Sequence, residues 1–301
     1  QMSIDEDQGG LYRGLKELRD TQGQSANNIF KFMGLDYRYV ADGNDLKTMI
    51  DVFKEVKNID HPIVLHVNTQ KGKGYQPAID DQKKYHWRAP FDLQTGESKQ
   101  SAPKESYSAA VIDELNAQVE AGKPVVAINA AIPGMFDLER FKAAHAERYF
   151  DVGIAEPDSV TTAVAMAAGG ALPVLFESST FLQRAYDQLV HDVALNEYPI
   201  VMIVRGGTIS SDSATHQGTF DISYISSLPN IEYLAPTNVE EMISMLRWAL
   251  KQNDTPVVIR QPEHELLHGT PSQDSYATID YDIAHPVSYT HLRAHETLRH
   301  L

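Results

Sequence analysis

Glu156 stands alone among small and apolar neighbours in the stretch YFDVGIAEPDSVTTAVAMAAGG, residues 149–170. An apolar run (Phe150, Val152, Ile154, Ala155) ends on this carboxylate, and Pro157 follows at once. An ionised carboxylate is costly to bury without compensation, so Glu156 is capped, solvated or useful. Acids and proline both suit a first turn, so Glu156 either caps the helix that Pro157 begins or does chemistry. Further on, SSDSATHQG (210–218) places Asp212 and His216 in a polar loop after an apolar strand. Histidine titrates near neutrality and can bind a carboxylate or donate a proton to an alkoxide, although a loop histidine is often simply exposed. Arg205 and Arg260 each end an apolar strand, an expensive place for a guanidinium unless it meets an anion. The planar fork of arginine bonds two oxygens at once. In QKGKGYQPAIDDQKKYHW (70–87), Lys71 and His86 belong to a basic turn after a strand, where Gly72 and Gly74 allow close backbone approach. Phe181 and Arg184 sit one turn apart on a single helix face. Phe181 has apolar helical neighbours and suits a core; Arg184 has an acid, Asp187, within reach for a surface or interface ion pair.

Short β-branched runs must position these residues: HPIVLHVNT (61–69), KPVVAINAA (123–131), LPVLFESS (172–179), YPIVMIVRGG (198–207), NIEYLAPTN (230–238) and TPVVIRQP (255–262). From 123 onward the spacing leaves room for one crossover helix between strands, which predicts an α/β fold with a parallel sheet covered on both faces. Phe181, Leu182, Ala185, Leu189, Val193 and Leu195 predict a helix over 181–196, and Asn238 with its acidic followers predicts a capped helix over 237–252. FDLQTGESKQSAPKES (91–106) is polar and aperiodic and reads as a linker; before it, 1–90 holds only one convincing strand. VSYTHLRAHETLRHL (287–301) continues no pattern, and although His291, His295 and His300 mimic metal-site spacing, it reads as a non-native tail.

The chain has 301 residues, 42% hydrophobic and 22% charged, with a formal net charge of -15 and no cysteine. That charge argues against nucleic acid and anionic membranes as partners, though not against a small anionic substrate that needs only a few local cations. Disulfides, thiolate metal sites and cysteine nucleophiles are excluded. No apolar run approaches the roughly 18–20 residues of a membrane span, and a cytoplasmic location is expected.

DVGIAEPDSV and STFLQRAYDQLVHDV (179–193), with NTQKGKGYQPA (68–78), RGGTISSDSATHQGTFD (205–221) and IEYLAPTN (231–238), resemble the 1-deoxy-D-xylulose-5-phosphate synthase family of the thiamine-diphosphate-dependent transketolase superfamily. The likeness runs in order over roughly 1–268. It implies a pyrimidine-binding domain over 107–268, preceded by the C-terminal part of a diphosphate domain (1–90) and the linker (91–106). The start of a transketolase C-terminal domain would follow (269–286). It also implies thiamine diphosphate and Mg²⁺ as cofactors, pyruvate and glyceraldehyde 3-phosphate as substrates, and a homodimer at full length. Glu156 then shares a proton with the aminopyrimidine ring, a task that apolar surroundings favour for a carboxyl. Phe181 packs on that ring, and Lys71 and Arg184 join the cofactor site. Asp212, His216 and His86 surround the reacting carbons, and Arg205 and Arg260 hold the acceptor's phosphate. The metal ligands are expected upstream of residue 1, so none is assigned here. The chain is thus expected to be an internal fragment, inactive by itself.

Four features depart from the family pattern. Pro157 and Asp158 follow the acid where Gln-His is usual, Ser178 replaces an aromatic phosphate contact, Gln217 replaces the second histidine of a pair, and the segment 18–45 is short. These leave two rivals: a transketolase-like carbon transfer with another donor or acceptor, and a non-catalytic dimerisation module.

Overall fold

In the computed structural model, residues 9–82, 84–86, 89–99, 105–206, 215–263, 266–270 and 275–277 are described. Asp212, most of 269–286 and the histidines of the terminal stretch lie outside them. β1 (Asp36–Val40) and β2 (Ile63–Val67) pair in parallel as a two-stranded sheet. β3 (Val125–Asn129), β4 (Tyr149–Asp151), β5 (Leu172–Ser178), β6 (Val201–Arg205), β7 (Glu232–Leu234) and β8 (Val257–Gln261) form a second, wholly parallel sheet in the order β4-β3-β5-β6-β8-β7. All six apolar runs contain strands. β1 is an addition to the single strand expected in the first ninety residues. Its DYRYV sequence alternates exposed and part-buried positions, as a half-covered strand does, instead of forming an apolar run.

Helices cover both faces of the large sheet. Helices Tyr107–Glu120, Leu138–Ala144 and Val239–Ala249 enclose one core, with Val111, Leu115, Phe141, Phe176, Ile203, Leu246 and Ile259 fully or almost fully buried. Helix Glu156–Ala168, the helical segment Ser179–Ala194 and helix Asp221–Ser226 enclose the other, with Val160, Leu175, Leu189, Met202 and Val258. Each such side chain contributes about 1.5–3 kcal/mol by leaving water, so the two cores hold the sheet rigidly beneath its carboxyl edge. Asn238 caps its helix as expected, Oδ1 accepting from Glu241 N at 2.9 Å.

The helix expected over 181–196 is broken into four pieces. An α turn (Ser179–Leu182) passes into a 3-10 turn (Gln183–Ala185), an α turn (Tyr186–Gln188) and a π turn (Leu189–Ala194). The buried stripe Leu182, Ala185, Leu189, Val193 survives because tight and wide turns offset each other. Residues 91–98, expected as linker, close a small antiparallel bridge between Phe91 and Ser98, and the Phe91 ring meets Tyr85 edge-on and Tyr75 at a tilt.

Candidate active site

Glu156 opens the helix Glu156–Ala168 just after β4, with Pro157 in the first turn and no capping side chain at Ala155. It is 3% exposed. Among the described residues its carboxylate takes no hydrogen bond from the helix's own N–H groups and accepts from Arg184 Nη1 at 2.6 Å. Glu156 is therefore no cap. Arg184 takes Glu156 in preference to Asp187, which lies 3.8 Å from His191 Nε2. The Arg184 guanidinium lies 5.6 Å from the Phe181 ring centre, and the same ring meets His216 edge-on at 5.3 Å. Glu156, Arg184, Phe181 and His216 are thus brought together, although 60 residues separate the first from the last in sequence.

Close backbone approach makes this possible. Gly218 N donates to Thr180 Oγ1 at 2.9 Å and its carbonyl accepts from Ser179 Oγ at 3.2 Å, docking the histidine loop on the turn that bears Phe181. A Cβ at Gly218 would stand 2.2 Å from the Gly206 carbonyl oxygen and 2.5 Å from Ser179 Oγ, at a φ of +56°. Only glycine fits there. Thr215 Oγ1 is 2.7 Å from His216 Nδ1 and helps fix the ring. Beside the smaller sheet, Lys71 Nζ donates to His86 Nδ1 at 2.6 Å, and burial draws the Lys71 ammonium below its usual range.

Arg205 and Arg260 are not brought together, and the expectation of a shared phosphate clamp needs correcting. Register decides it: Arg205 pairs with Gln261, and Arg260 with Val204. Neighbouring residues of a strand point to opposite faces, so the two guanidiniums leave opposite sides of the sheet. Arg260 donates to Asp221 at 2.7 Å through Nε and 3.4 Å through Nη2, and Tyr233 donates to the same carboxylate at 2.8 Å. Arg205 donates to the Met135 carbonyl and has Glu263 Oε1 3.4 Å from its Nε, at the edge of a cavity of about 780 Å³. Acids Glu105, Asp137 and Glu263 line that cavity. Ser178, the register partner of Arg205, is buried on this same face.

Two acids escaped notice in the sequence. Asp221, fully buried, is the partner that Arg260 needs. Glu177, with 0% exposure, interrupts the apolar strand β5 and lies below the first turn of the Glu156 helix. The signal for Glu177 was the one that marks Glu156: a lone charge in an apolar run. Among the described residues, no group of three or more His, Asp or Glu is placed to hold a metal ion, and no helix is long and apolar enough to cross a membrane.

The arrangement suits a cofactor with an amino-substituted ring. The ring's amino edge could meet a buried carboxyl held from outside by an exposed, replaceable guanidinium (Arg184 is 60% exposed), and its flat face could rest on the half-buried Phe181.

Residues 104–267 match the family model described as transketolase, pyrimidine binding domain, and residues 1–69 match one described as 1-deoxy-D-xylulose-5-phosphate synthase. A protein named 1-deoxy-D-xylulose-5-phosphate synthase from Clostridium botulinum (strain Alaska E43 / Type E3) is 40% identical over 298 residues, covering 87% of this chain and 48% of its own length. The like-named protein of Clostridium beijerinckii is 44% identical over 239 residues, covering 78% and 38%. That of Acidobacterium capsulatum is 43% identical over 235 residues, covering 78% and 37%. The chain thus spans about half the length of these relatives, or less. A solved split-gene transketolase chain superposes with a TM-score of 0.46 at 21% identity, covering 52% of this chain and 51% of its own, too loosely to add to the argument. With more than half of its length inside the matched domain, the chain belongs to the transketolase pyrimidine-binding domain family.

Proposed function

We propose that this chain supplies the thiamine-activating part of a 1-deoxy-D-xylulose-5-phosphate synthase, which condenses pyruvate with glyceraldehyde 3-phosphate and releases CO₂. The observation behind this reading is the buried Glu156 carboxylate, held at 2.6 Å by Arg184 beside Phe181. Thiamine diphosphate, when bound, supplies the carbanion chemistry that no side chain can. Glu156 holds and returns a proton at the aminopyrimidine. Arg184 screens that acid and yields its place to the ring. Phe181 gives the ring a face, and His216, touching Phe181, donates or accepts a proton at the reacting oxygen. Lys71 joins the cofactor site, and His86 and Asp212 stand with His216 around the reacting carbons, as the family likeness assigns them. Mg²⁺ belongs to the diphosphate end, outside residues 107–268. Within a homodimer, the exposed Ile154 and Phe220 are apolar surface suited to a second subunit.

A chimera carrying residues 105–268 in place of the matching segment of the Clostridium botulinum relative tests this. It should release CO₂ from pyruvate only with thiamine diphosphate, and Glu156→Gln should lower turnover by about 10²–10⁴-fold. A Glu156→Gln chimera of near-normal activity would refute the assignment.

One observation favours a second reading, a related carbon transfer to a different acceptor. Arg205 and Arg260 both already face carboxylates, Glu263 and Asp221, so neither offers an unanswered charge to a phosphate. Glyceraldehyde and glyceraldehyde 3-phosphate giving similar kcat/KM in the chimera would favour this alternative; a strong preference for the phosphate would favour the first.

A further inference from the structure

Ser159 Oγ lies 2.7 Å from the Glu156 carbonyl oxygen and 3.1 Å from Glu177 Oε1. A hydroxyl has one proton to give, and both neighbours accept when Glu177 is ionised. The shorter contact claims that proton for the carbonyl. The contact with Glu177 is then a hydrogen bond only if the carboxyl itself is the donor. Burial agrees: Glu177 has no exposed surface, and among the described residues its Oε2 has no hydrogen-bond partner. A charged carboxylate left so would bear a large desolvation cost, whereas a neutral acid bears little.

The charges around Glu177 point the same way. Glu156 faces it from the helix above and Asp151 from the end of β4, both negative. Tyr224 faces it from helix Asp221–Ser226, with its own hydroxyl given to the Ser179 carbonyl. Arg260, two strands along on the same face, is committed to Asp221. Burial above all pushes the Glu177 carboxyl up to about 8; the Ser159 hydroxyl pulls down against it, and Glu156 and Asp151 raise it further against a lesser pull from the Ser178 amide.

We propose that Glu177 is a positioning residue for Glu156: as a neutral acid it donates to Ser159 Oγ, and Ser159 donates to the Glu156 carbonyl, fixing the first turn that aims the activating carboxyl. The assignment rests on Glu156 being that activator, and it goes beyond it by placing a second acid under the first. It explains how one face tolerates two acids so close together: only one of them is charged. It also compensates for the missing cap at Ala155, because the first turn is held from below, through Ser159, instead of from its end.

The sign of the pH effect follows from the raised value. A carboxyl held protonated in the folded state gives stability that is fully present below its ordinary range near 4.5 and is lost as pH rises through about 8. Carboxyl ¹³C NMR of the 301-residue chain should show one resonance with a midpoint near 8, absent in Glu177→Gln. Gln keeps a donor for Ser159 but cannot ionise. Amide exchange at Ser159 and Val160 should therefore match between wild type and Glu177→Gln at pH 6, and be about tenfold faster in wild type at pH 9. Ser159→Ala should remove that pH-dependent difference while leaving the carboxyl midpoint high. Glu177→Val, which keeps the burial but not the donor, should loosen the turn at both pH values. A Glu177 midpoint near 4.5, or an exchange ratio that stays flat with pH, overturns the proposal. None of these readouts depends on turnover, so an active Glu156→Gln chimera would sink the activator assignment without altering them.

Discussion

On the face that carries the Glu156 helix, Arg260 meets Asp221 in a closed network: two N–H donors, a carboxylate with no exposed surface, and a tyrosine hydroxyl at 2.8 Å. On the opposite face, one strand away and one residue out of step, Arg205 meets a backbone carbonyl and the Glu263 carboxylate at the border of an open cavity. The two arginines share a residue type and a place at the end of an apolar strand, and little else. The closed network holds the fold together: its carboxylate has no exposed surface and its guanidinium is spent on that carboxylate. The open one stays within reach of solvent and ligand, which is where a residue can be selected for recognition. The difference shows that a strand-end arginine is not by itself an anion site; the face it leaves by decides.

The sharpest way to break this comparison is to remove each guanidinium in turn. Arg260→Ala leaves Asp221 buried without its counter-charge and should lower unfolding stability by about 3–5 kcal/mol. Arg205→Ala, whose partner can rehydrate through the cavity, should cost about 1 kcal/mol or less. Urea denaturation of both variants measures the gap. Equal losses would mean that the two faces are alike after all. The Tyr233 hydroxyl, held far above its ordinary range by burial and then by Asp221, should become easier to ionise when Asp221→Asn removes the charge beside it.

Gly218→Ala comes next in size and acts on the junction between the histidine loop and the Phe181 turn. The added methyl meets the Gly206 carbonyl and Ser179 Oγ at a left-handed φ, so strain and displacement together should cost about 1–3 kcal/mol. The loop should shift as a unit and part His216 from Phe181, which the ¹H shifts of the His216 ring would report. An unmoved His216 signal would show that the loop is held by something other than this close approach.

These contrasts mark how far the sequence could be read. The six apolar runs were legible as strands because burial on both faces leaves an uninterrupted apolar signature. β1 was not, since half-covered DYRYV carries its signal in alternation over only five residues. Glu156 was legible as a lone charge, and its companions Phe181, Arg184 and His216 through the family likeness. The pairing of Arg205 with Arg260 misled because register is invisible in sequence: a slip of one residue between β6 and β8 sends the side chain to the other face. The broken helix after β5 kept its apolar stripe, which sequence displays, while changing its hydrogen-bond spacing, which sequence does not. Glu177 was visible in LPVLFESS but was absorbed into the strand that contains it.

The smallest expected effect tests how each face anchors its helices. Helix Val239–Ala249, on the cavity side, begins with reciprocal bonds: Asn238 Oδ1 accepts from Glu241 N at 2.9 Å, and Glu241 Oε2 accepts from Thr237 N at 2.7 Å. Helix Glu156–Ala168, on the other side, has no capping side chain and sends its first acid outward to Arg184. Asn238→Ala should therefore cost about 1 kcal/mol, and Asn238→Asp should recover most of it, since either oxygen can accept from the third residue of the helix. Thermal unfolding detects a loss of that size. Because this cap is remote from Glu177, the loss should be the same in a Glu177→Gln background as in wild type at pH 9. Substitutions under the Glu156 helix should instead differ between the two. A loss from Asn238→Ala that itself varies with the Glu177 background would mean that the two faces do not anchor their helices independently.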